Sequence, residues 1–360
     1  MIPLVDLKAQ YNSIKDEIDG AIQNVIDASS FIMGEDVEKF EKEFADFCNA
    51  KYAVGTSNGT TALHLAAEAI GIKLGDEIIT SPNTFIATVE PFLKMGAKIK
   101  FADIDEYYTI DANKIEEKIT EKTKAIIPVH LYGQPADMQP IKEIAEKHNL
   151  KIIEDCAQAH NSEYNNKKIP VTDIGCFSFF PGKNLGAFGD AGAIIFNDKE
   201  LAERIRNLSN HGRKNKYEHN EPGYNFRLDS MQAAILRVKL KYLGKWTDMR
   251  INNAKLYNEF LENENIILPK RRESCKHVFH LYVIRVKDRE KLQKYLTDNG
   301  IATGIHYPVP LHLQPFYNKK ESHLLTEKYS REILSLPMFP ELKEEQIKFV
   351  CDKIKEYVKK

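Results

Sequence analysis

Apolar positions along the chain change their period in a regular order. After an apolar lead-in of Ile2, Leu4, Val5 and Leu7, residues Ile14, Ile18, Ile22 and Ile26 recur every four positions and predict a helix. A second helix is predicted over 35–47, with Phe40, Phe44 and Phe47 on one face. Short apolar runs then alternate with helical patterns. Strands are expected at 52–54, 77–80, 98–102, 125–129 and 151–154, and helices at 63–70, 85–95, 115–119 and 140–148. Such alternation predicts an α/β fold, a largely parallel sheet of about seven strands with helices on both faces.

Two further strands bracket the stretch around which the chain is organised, residues 174–196, IGCFSFFPGKNLGAFGDAGAIIF. The first apolar run breaks at Pro181-Gly182, Lys183 follows in a glycine-rich loop, and a second apolar run begins at Ala191. Lysine is seldom inside a protein unless it is paired or chemically employed. A desolvated lysine amine attacks carbonyls, so an imine with an aldehyde cofactor is one reading; a surface turn is the other. A P-loop is a weak reading, because that motif needs glycine at 177 and Ser or Thr at 184, where the chain has Phe177 and Asn184.

Beyond a helix at 201–208, residues 211–225 form a polar loop long enough to be functional or mobile. The next helix buries Met231, Ile235, Val238 and Tyr242, while Arg237, Lys239, Lys241 and Lys245 read as a solvated face. A second domain is expected from Asp248, opening with a helix through Tyr257 and Phe260. It continues with a strand at 277–286, a helix at 290–299, a short strand at 303–307 and a last helix at 345–358. The division is a large domain, 1–247, and a smaller α+β domain, 248–360.

Composition narrows the function. The 360 residues are 42% hydrophobic and 29% charged with a formal net charge of -1, so no nucleic-acid footprint is expected. No apolar run is long enough to cross a bilayer and no signal segment is visible, so no membrane partner is expected. Five scattered cysteines without a CxxC pair fit a reducing cytoplasm.

Candidate chemistry gathers at strand ends. The polar loop 55–61 between a strand and a helix leaves backbone N–H groups aimed at an anion, with Ser57, Thr60 and Thr61 hydroxyls beside them. An ordinary helix cap is the alternative. Thr56, Asp155, Ser178 and the Lys183 loop all fall at carboxyl ends of strands, where open α/β sheets bind ligands. If the ligand is pyridoxal phosphate, the chemistry needs a lysine, a carboxylate for the pyridine nitrogen, a phosphate cup and a flat side chain against the ring. Lys183, Asp155, the trio Gly59, Thr60 and Ser178, and Phe85 supply these in turn. Singly, Asp155 reads as a loop residue and Phe85 as core. His160 reaches the same pocket or a loop hydrogen bond. His277 and His280 would face opposite sides of a strand, and His211 and His219 lack ligand partners, so no metal site is expected.

Residues 155–160 (DCAQAH) and 177–190 (FSFFPGKNLGAFGD) closely resemble the pyridoxal-phosphate-dependent nucleotide-sugar aminotransferases of the DegT/DnrJ/EryC1/StrS group. Residues 55–60, 223–229 and 304–312 match as well, so the likeness spans nearly the whole chain. The resemblance implies the aspartate aminotransferase fold and a homodimer with shared active sites. It implies that Lys183 bonds the cofactor aldehyde, Asp155 meets the pyridine nitrogen, Gln158 lies near the ring, Phe85 stacks on it, and Gly59, Thr60 and Ser178 bind phosphate. Asn225 and Arg227 would reach cofactor or substrate in the neighbouring subunit; His160, His306 and His312 would line the sugar pocket. Related dehydratases carry histidine where Lys183 stands, so transamination is favoured. Gln158 resembles the subgroup aminating C3 of a dTDP-3-keto-6-deoxyhexose with L-glutamate as donor. A UDP-linked 3-keto-N-acetylhexosamine is the neighbouring substrate, and a regulatory protein on the same fold is the alternative of another class. The family's usual glycine between Asp190 and Gly192 is Ala191 here.

Overall fold

A computed structural model describes residues 1–262, 265–317 and 320–359. The chain opens with α1 (Leu7–Ser13), α2 (Lys15–Ala28) and α3 (Glu35–Phe47), then enters β1 (Tyr52–Thr56), α4 (Gly59–Ala69) and β2 (Glu77–Thr80). A 3₁₀ turn and the short α5 (Glu90–Lys94) lead to β3 (Lys98–Phe101), β4 (Thr123–Ile127) and α6 (Met138–Lys147). Next come β5 (Lys151–Ile152), β6 (Glu154–Asp155) and the small hairpin β7 (Glu163–Tyr164) and β8 (Lys167–Lys168). The strands β9 (Ile174–Ser178) and β10 (Gly192–Phe196) flank the Lys183 loop.

The strand orders are β3-β2-β4-β5 and β1-β10-β9-β6. Ile153 N–H bonds the Ile126 carbonyl at 3.1 Å and Asp155 pairs with Val129, so β5 and β6 are one course. The two four-stranded sheets share that course and form one layer of seven. Only β10 runs against the rest, paired antiparallel to both β1 and β9.

Alternation across this layer builds two cores. Val54, Cys176, Ile194 and Phe196 face α4 and α7 (Lys199–Ser209), meeting Leu63, Ala66, Ile205 and Leu208. Ala53, Phe177, Ala193 and Ile195 face the other side, where Phe40 and Phe44 of α3 pack with Ala233 and Leu236 of α8 (Ser230–Leu240). The N-terminal helices cover the outer side of α8, through Ile14, Ile18, Ile235, Val238 and Trp246.

The helix α9 (Leu243–Leu261) runs without a break across residue 248. The remaining elements are β11 (Cys275–Lys276), β12 (Tyr282–Arg285), α10 (Arg289–Asp298), α11 (Leu324–Glu332), β13 (Ile333–Leu336) and α12 (Glu344–Val358). Tyr257, Tyr282, Leu334, Ile347, Val350 and Ile354 join in their own core.

Four expectations are corrected. Residues 85–95 are not one helix: a 3₁₀ turn at Ile86–Thr88 gives way to α5, whose first turn holds Pro91, and Phe85 is extended. Residues 277–286 are strand only from Tyr282; His277 through Leu281 are buried on both sides in irregular backbone, so their apolar alternation does not report a pleat. Residues 303–307 contribute a single bridge, Gly304 to Ser335, and the pairing expected there goes to β13 instead. Residues 115–119 lie in 3₁₀ turns.

Candidate active site

The carboxyl ends of the strands meet along one edge. Asp155 closes β6 and is 5% exposed. The Thr88 hydroxyl donates to its Oδ2 at 2.8 Å and the Ala157 N–H to Oδ1 at 3.1 Å. Burial pushes the carboxyl up from its ordinary value; Thr88, the Ala157 amide and the charge of Lys183 oppose that shift.

Lys183 is half-buried in the loop between β9 and β10, and among the described residues its Nζ makes no hydrogen bond. Burial pulls its ammonium down to about 8, with the Asp155 charge working the other way. The loop is fixed by the Lys183 N–H on the Phe180 carbonyl and the Ala187 N–H on the Phe179 carbonyl, both 2.8 Å. Asn184 is buried and donates to the Val278 carbonyl at 3.2 Å.

Three imidazoles feel the charge of Lys183. Burial first, then that charge, pulls His306 down to about 4 and His160 to about 3, and lowers His280 well below its ordinary value. All three are neutral at physiological pH. His306 Nδ1 lies 2.9 Å from the Ser335 hydroxyl. His160 is 1% exposed and packed against Phe177 and Phe179, beside the Ser178 backbone.

The N-terminus of α4 lies on the same edge. Asn58 caps it, accepting the Thr61 N–H at 2.9 Å while Thr61 Oγ1 accepts the Asn58 N–H at 3.1 Å. The Thr61 hydroxyl is thereby used inside the cap. The N–H groups of Gly59 and Thr60 and the Thr60 hydroxyl have no partner among the described residues. Gly59 abuts Ser178, since a Cβ on it would stand 2.7 Å from the Ser178 Cβ.

Phe85 is 54% exposed, its ring centroid 5.7 Å from that of Tyr307. Gln158 Oε1 accepts the Tyr132 N–H at 2.7 Å, and its Nε2 donates to the Tyr307 hydroxyl at 3.2 Å. Thr88 and Tyr307 are site residues that the sequence reading misses. The only signal for Tyr307 is its place beside His306 in a matched motif; Thr88 has none.

Other expected residues lie apart. Arg227 pairs with Thr56 through its backbone, and its guanidinium donates to Asn210 Oδ1 at 2.9 Å. Asn225 is exposed on the same extended segment. His312 is buried, 3.3 Å from Glu327 and packed on Phe101 and His323, not among the groups around Lys183. His130, Glu154 and Cys156 are the one convergent set of metal-ligating types among the described residues. They are satisfied internally: His130 Nε2 to Glu154 at 2.8 Å, His130 Nδ1 to the Ala136 N–H at 3.0 Å, and Glu154 Oε1 to the Thr172 N–H and hydroxyl at 2.6 Å.

Comparison with known proteins follows this geometry. The chain is 48% identical over 365 residues to a "Pleiotropic regulatory protein" of Geobacillus stearothermophilus, covering 99% of this chain and 98% of that one. It is 46% identical over 361 residues to the dTDP-3-amino-3,6-dideoxy-alpha-D-galactopyranose transaminase of Aneurinibacillus thermoaerophilus, covering 99% of each. Its fold is similar to the crystal structure of S. venezuelae DesV in complex with a ketimine intermediate, with a TM-score of 0.97 and 41% identity over 100% of this chain and 99% of that one. The DegT/DnrJ/EryC1/StrS aminotransferase family model matches residues 12–355, and the chain belongs to that family.

Proposed function

We propose that the chain is a pyridoxal-phosphate-dependent transaminase. It moves the amino group of L-glutamate to C3 of a dTDP-linked 3-keto-6-deoxyhexose, giving 2-oxoglutarate and a dTDP-3-amino-3,6-dideoxyhexose. The observation that carries the reading is one edge holding a half-buried Lys183, a buried Asp155 with which its charge interacts, and the donors of Gly59 and Thr60; among the described residues the Lys183 amine and those donors have no hydrogen-bond partner.

These residues fit the cofactor. Lys183 would hold its aldehyde, Asp155 its ring nitrogen, Gly59, Thr60 and Ser178 its phosphate, Phe85 its face, and Gln158 would lie beside its ring. Close packing of Gly59 on Ser178 leaves that wall free of side-chain bulk, as an anion cradle requires. When bound, the group supplies an electron sink for the pair left by a broken carbon–hydrogen bond. Lys183 Nζ, lowered to about 8, is deprotonated often enough at neutral pH to take the α-proton of glutamate. In the opposite direction it returns a proton to C3 of the sugar. His306 stands near Lys183 as a neutral imidazole, suited to a hydrogen bond with a sugar hydroxyl.

The reading extends to assembly. Two subunits would share their sites, with Asn225 and Arg227 of one reaching toward the other; the exposure of Asn225 supports this. A two-domain division near residue 248 and a cytoplasmic location belong to the same proposal. Among the described residues no helix is long and apolar enough to cross a membrane.

The test is amination itself. With glutamate, a dTDP-linked 3-keto-6-deoxyhexose should gain an amino group by mass spectrometry, and Lys183→Ala should abolish this. Amination of a UDP-linked 3-keto-N-acetylhexosamine alone would replace the sugar assignment. No amination of either would overturn the transaminase reading.

A further inference from the structure

The turn carrying Lys183 is held by side chains that this chemistry does not use. Gly186 is its tight point, where a Cβ would stand 2.3 Å from the Pro181 carbonyl oxygen. Lys239 Nζ donates to the Gly186 carbonyl at 2.6 Å, and the Phe188 N–H donates to Gln232 Oε1 at 2.9 Å. Gln232 and Lys239 both belong to α8, about two helical turns apart and on one face.

Lys239 is not on the solvated face expected for it; it is 1% exposed. A buried cation sheds its hydration and persists only where its surroundings replace it. Here the Gly186 carbonyl does so, with the Phe188 ring centroid 4.8 Å away and the charge of Glu341 facing it. Among the described residues no other side chain hydrogen-bonds the Glu341 carboxylate, which also faces Arg250 of α9. Arg250 in turn donates to the carbonyls of Phe279, His280 and Met338. The same 278–280 segment holds Asn184, next to Lys183, through the Val278 carbonyl and the His280 ring. The loop is thus gripped on both sides of Lys183, by segments anchored on two cations that share one carboxylate.

We propose that Lys239 is a positioning residue for Lys183: with Gln232 it clamps the 186–188 turn to α8, and Glu341 balances its charge. Its part in catalysis rests on the transaminase reading above, whereas the clamp is a property of the unloaded chain.

The test reads Lys183 without the cofactor. Acylation of Lys183 in cofactor-free protein is followed against pH by peptide mass spectrometry. The groups facing this amine are Asp155, His160, His280 and His306. Wild type should show a midpoint near 8. Lys239→Met and Gln232→Leu should move it upward, because a loosened turn admits water to Nζ, and labelling at pH 7 should fall about threefold to tenfold. Lys245→Met, at an exposed position on α9, should leave it unchanged. In the loaded enzyme Lys239→Met should lower kcat with little change in the glutamate KM. Wild-type midpoints in both clamp variants would overturn the proposal, as would an equal shift in Lys245→Met. If Lys239→Met does not fold, Gln232→Leu alone decides. Failure of glutamate amination with a shifted midpoint would sink the transaminase reading and leave the clamp standing.

Discussion

The Thr88 hydroxyl holds Oδ2 of Asp155 at 2.8 Å, from a 3₁₀ turn 67 residues earlier in the chain. Thr88 is itself bonded to Thr84, hydroxyl to hydroxyl, at 2.8 Å. A carboxylate buried at the end of a strand keeps its charge only if donors replace the lost water. Removing the hydroxyl with Thr88→Val should raise the Asp155 pKa further. Hydrogen bonds to charged groups contribute roughly 1.5–3 kcal/mol, so affinity for pyridoxal phosphate should fall about tenfold to a hundredfold. A fluorescence titration of cofactor-free protein checks this; unchanged affinity would remove Thr88 from the site.

Gly59 has a steric reason to be glycine. Its Cβ, if present, would lie 2.7 Å from the Ser178 Cβ, against backbone that β9 and β10 fix in register. Gly59→Ala should push Ser178 from the end of α4, costing about 1–3 kcal/mol of stability. Cofactor affinity should drop at least about tenfold, as the donors of Gly59 and Thr60 lose their opposing wall. Phosphate protection against thermal unfolding, strong in wild type and weak in the variant, is the readout.

The buried His130–Glu154 pair sits behind Asp155, and the His130 backbone N–H holds the Asp155 carbonyl at 3.1 Å. His130→Phe leaves Glu154, which is fully buried, short of a donor. Leaving a buried acceptor unsatisfied costs about 1–3 kcal/mol, which should lower the melting temperature by a few degrees. A melting curve superimposable on wild type would show that Thr172 alone satisfies Glu154.

The pH dependence follows from Lys183. Its amine must be unprotonated to take a proton, and burial brings its pKa to about 8. In the half-reaction with the keto sugar, kcat/KM should climb about tenfold per pH unit below pH 7 and level off above about pH 9. His306, at about 4, and His160, at about 3, have lost their protons before that range and should add no inflection between pH 5 and 7. A rate that falls as pH rises from 6 to 8 would contradict Lys183 as the base.

Much of this was legible in the chain because local pattern and final environment agree. The helix expected at 35–47 forms as α3 (Glu35–Phe47) because Phe40 and Phe44 have a sheet face to cover. The strands around Lys183 read clearly because each side of the sheet buries its own apolar set. What was not legible depends on partners remote in sequence. Lys239 follows Ile235 by four residues and so shares its side of α8, but a lysine there reads as solvated and nothing local announces that the Lys183 turn covers it. Thr88 gains its role from Asp155, and Tyr307 from Gln158 and Phe85. His312 sits in a motif that matches, yet its ring turns toward Glu327 and Phe101.

The central claim is that Lys183 works at an aldehyde cofactor and that glutamate is the donor. An absorbance scan of the purified protein with pyridoxal phosphate, before and after glutamate, tests it most directly. The account predicts a band near the visible edge that glutamate shifts to shorter wavelength and a keto sugar restores, with neither change in Lys183→Ala. No band in wild type after incubation with pyridoxal phosphate, or a band indifferent to glutamate, would contradict it.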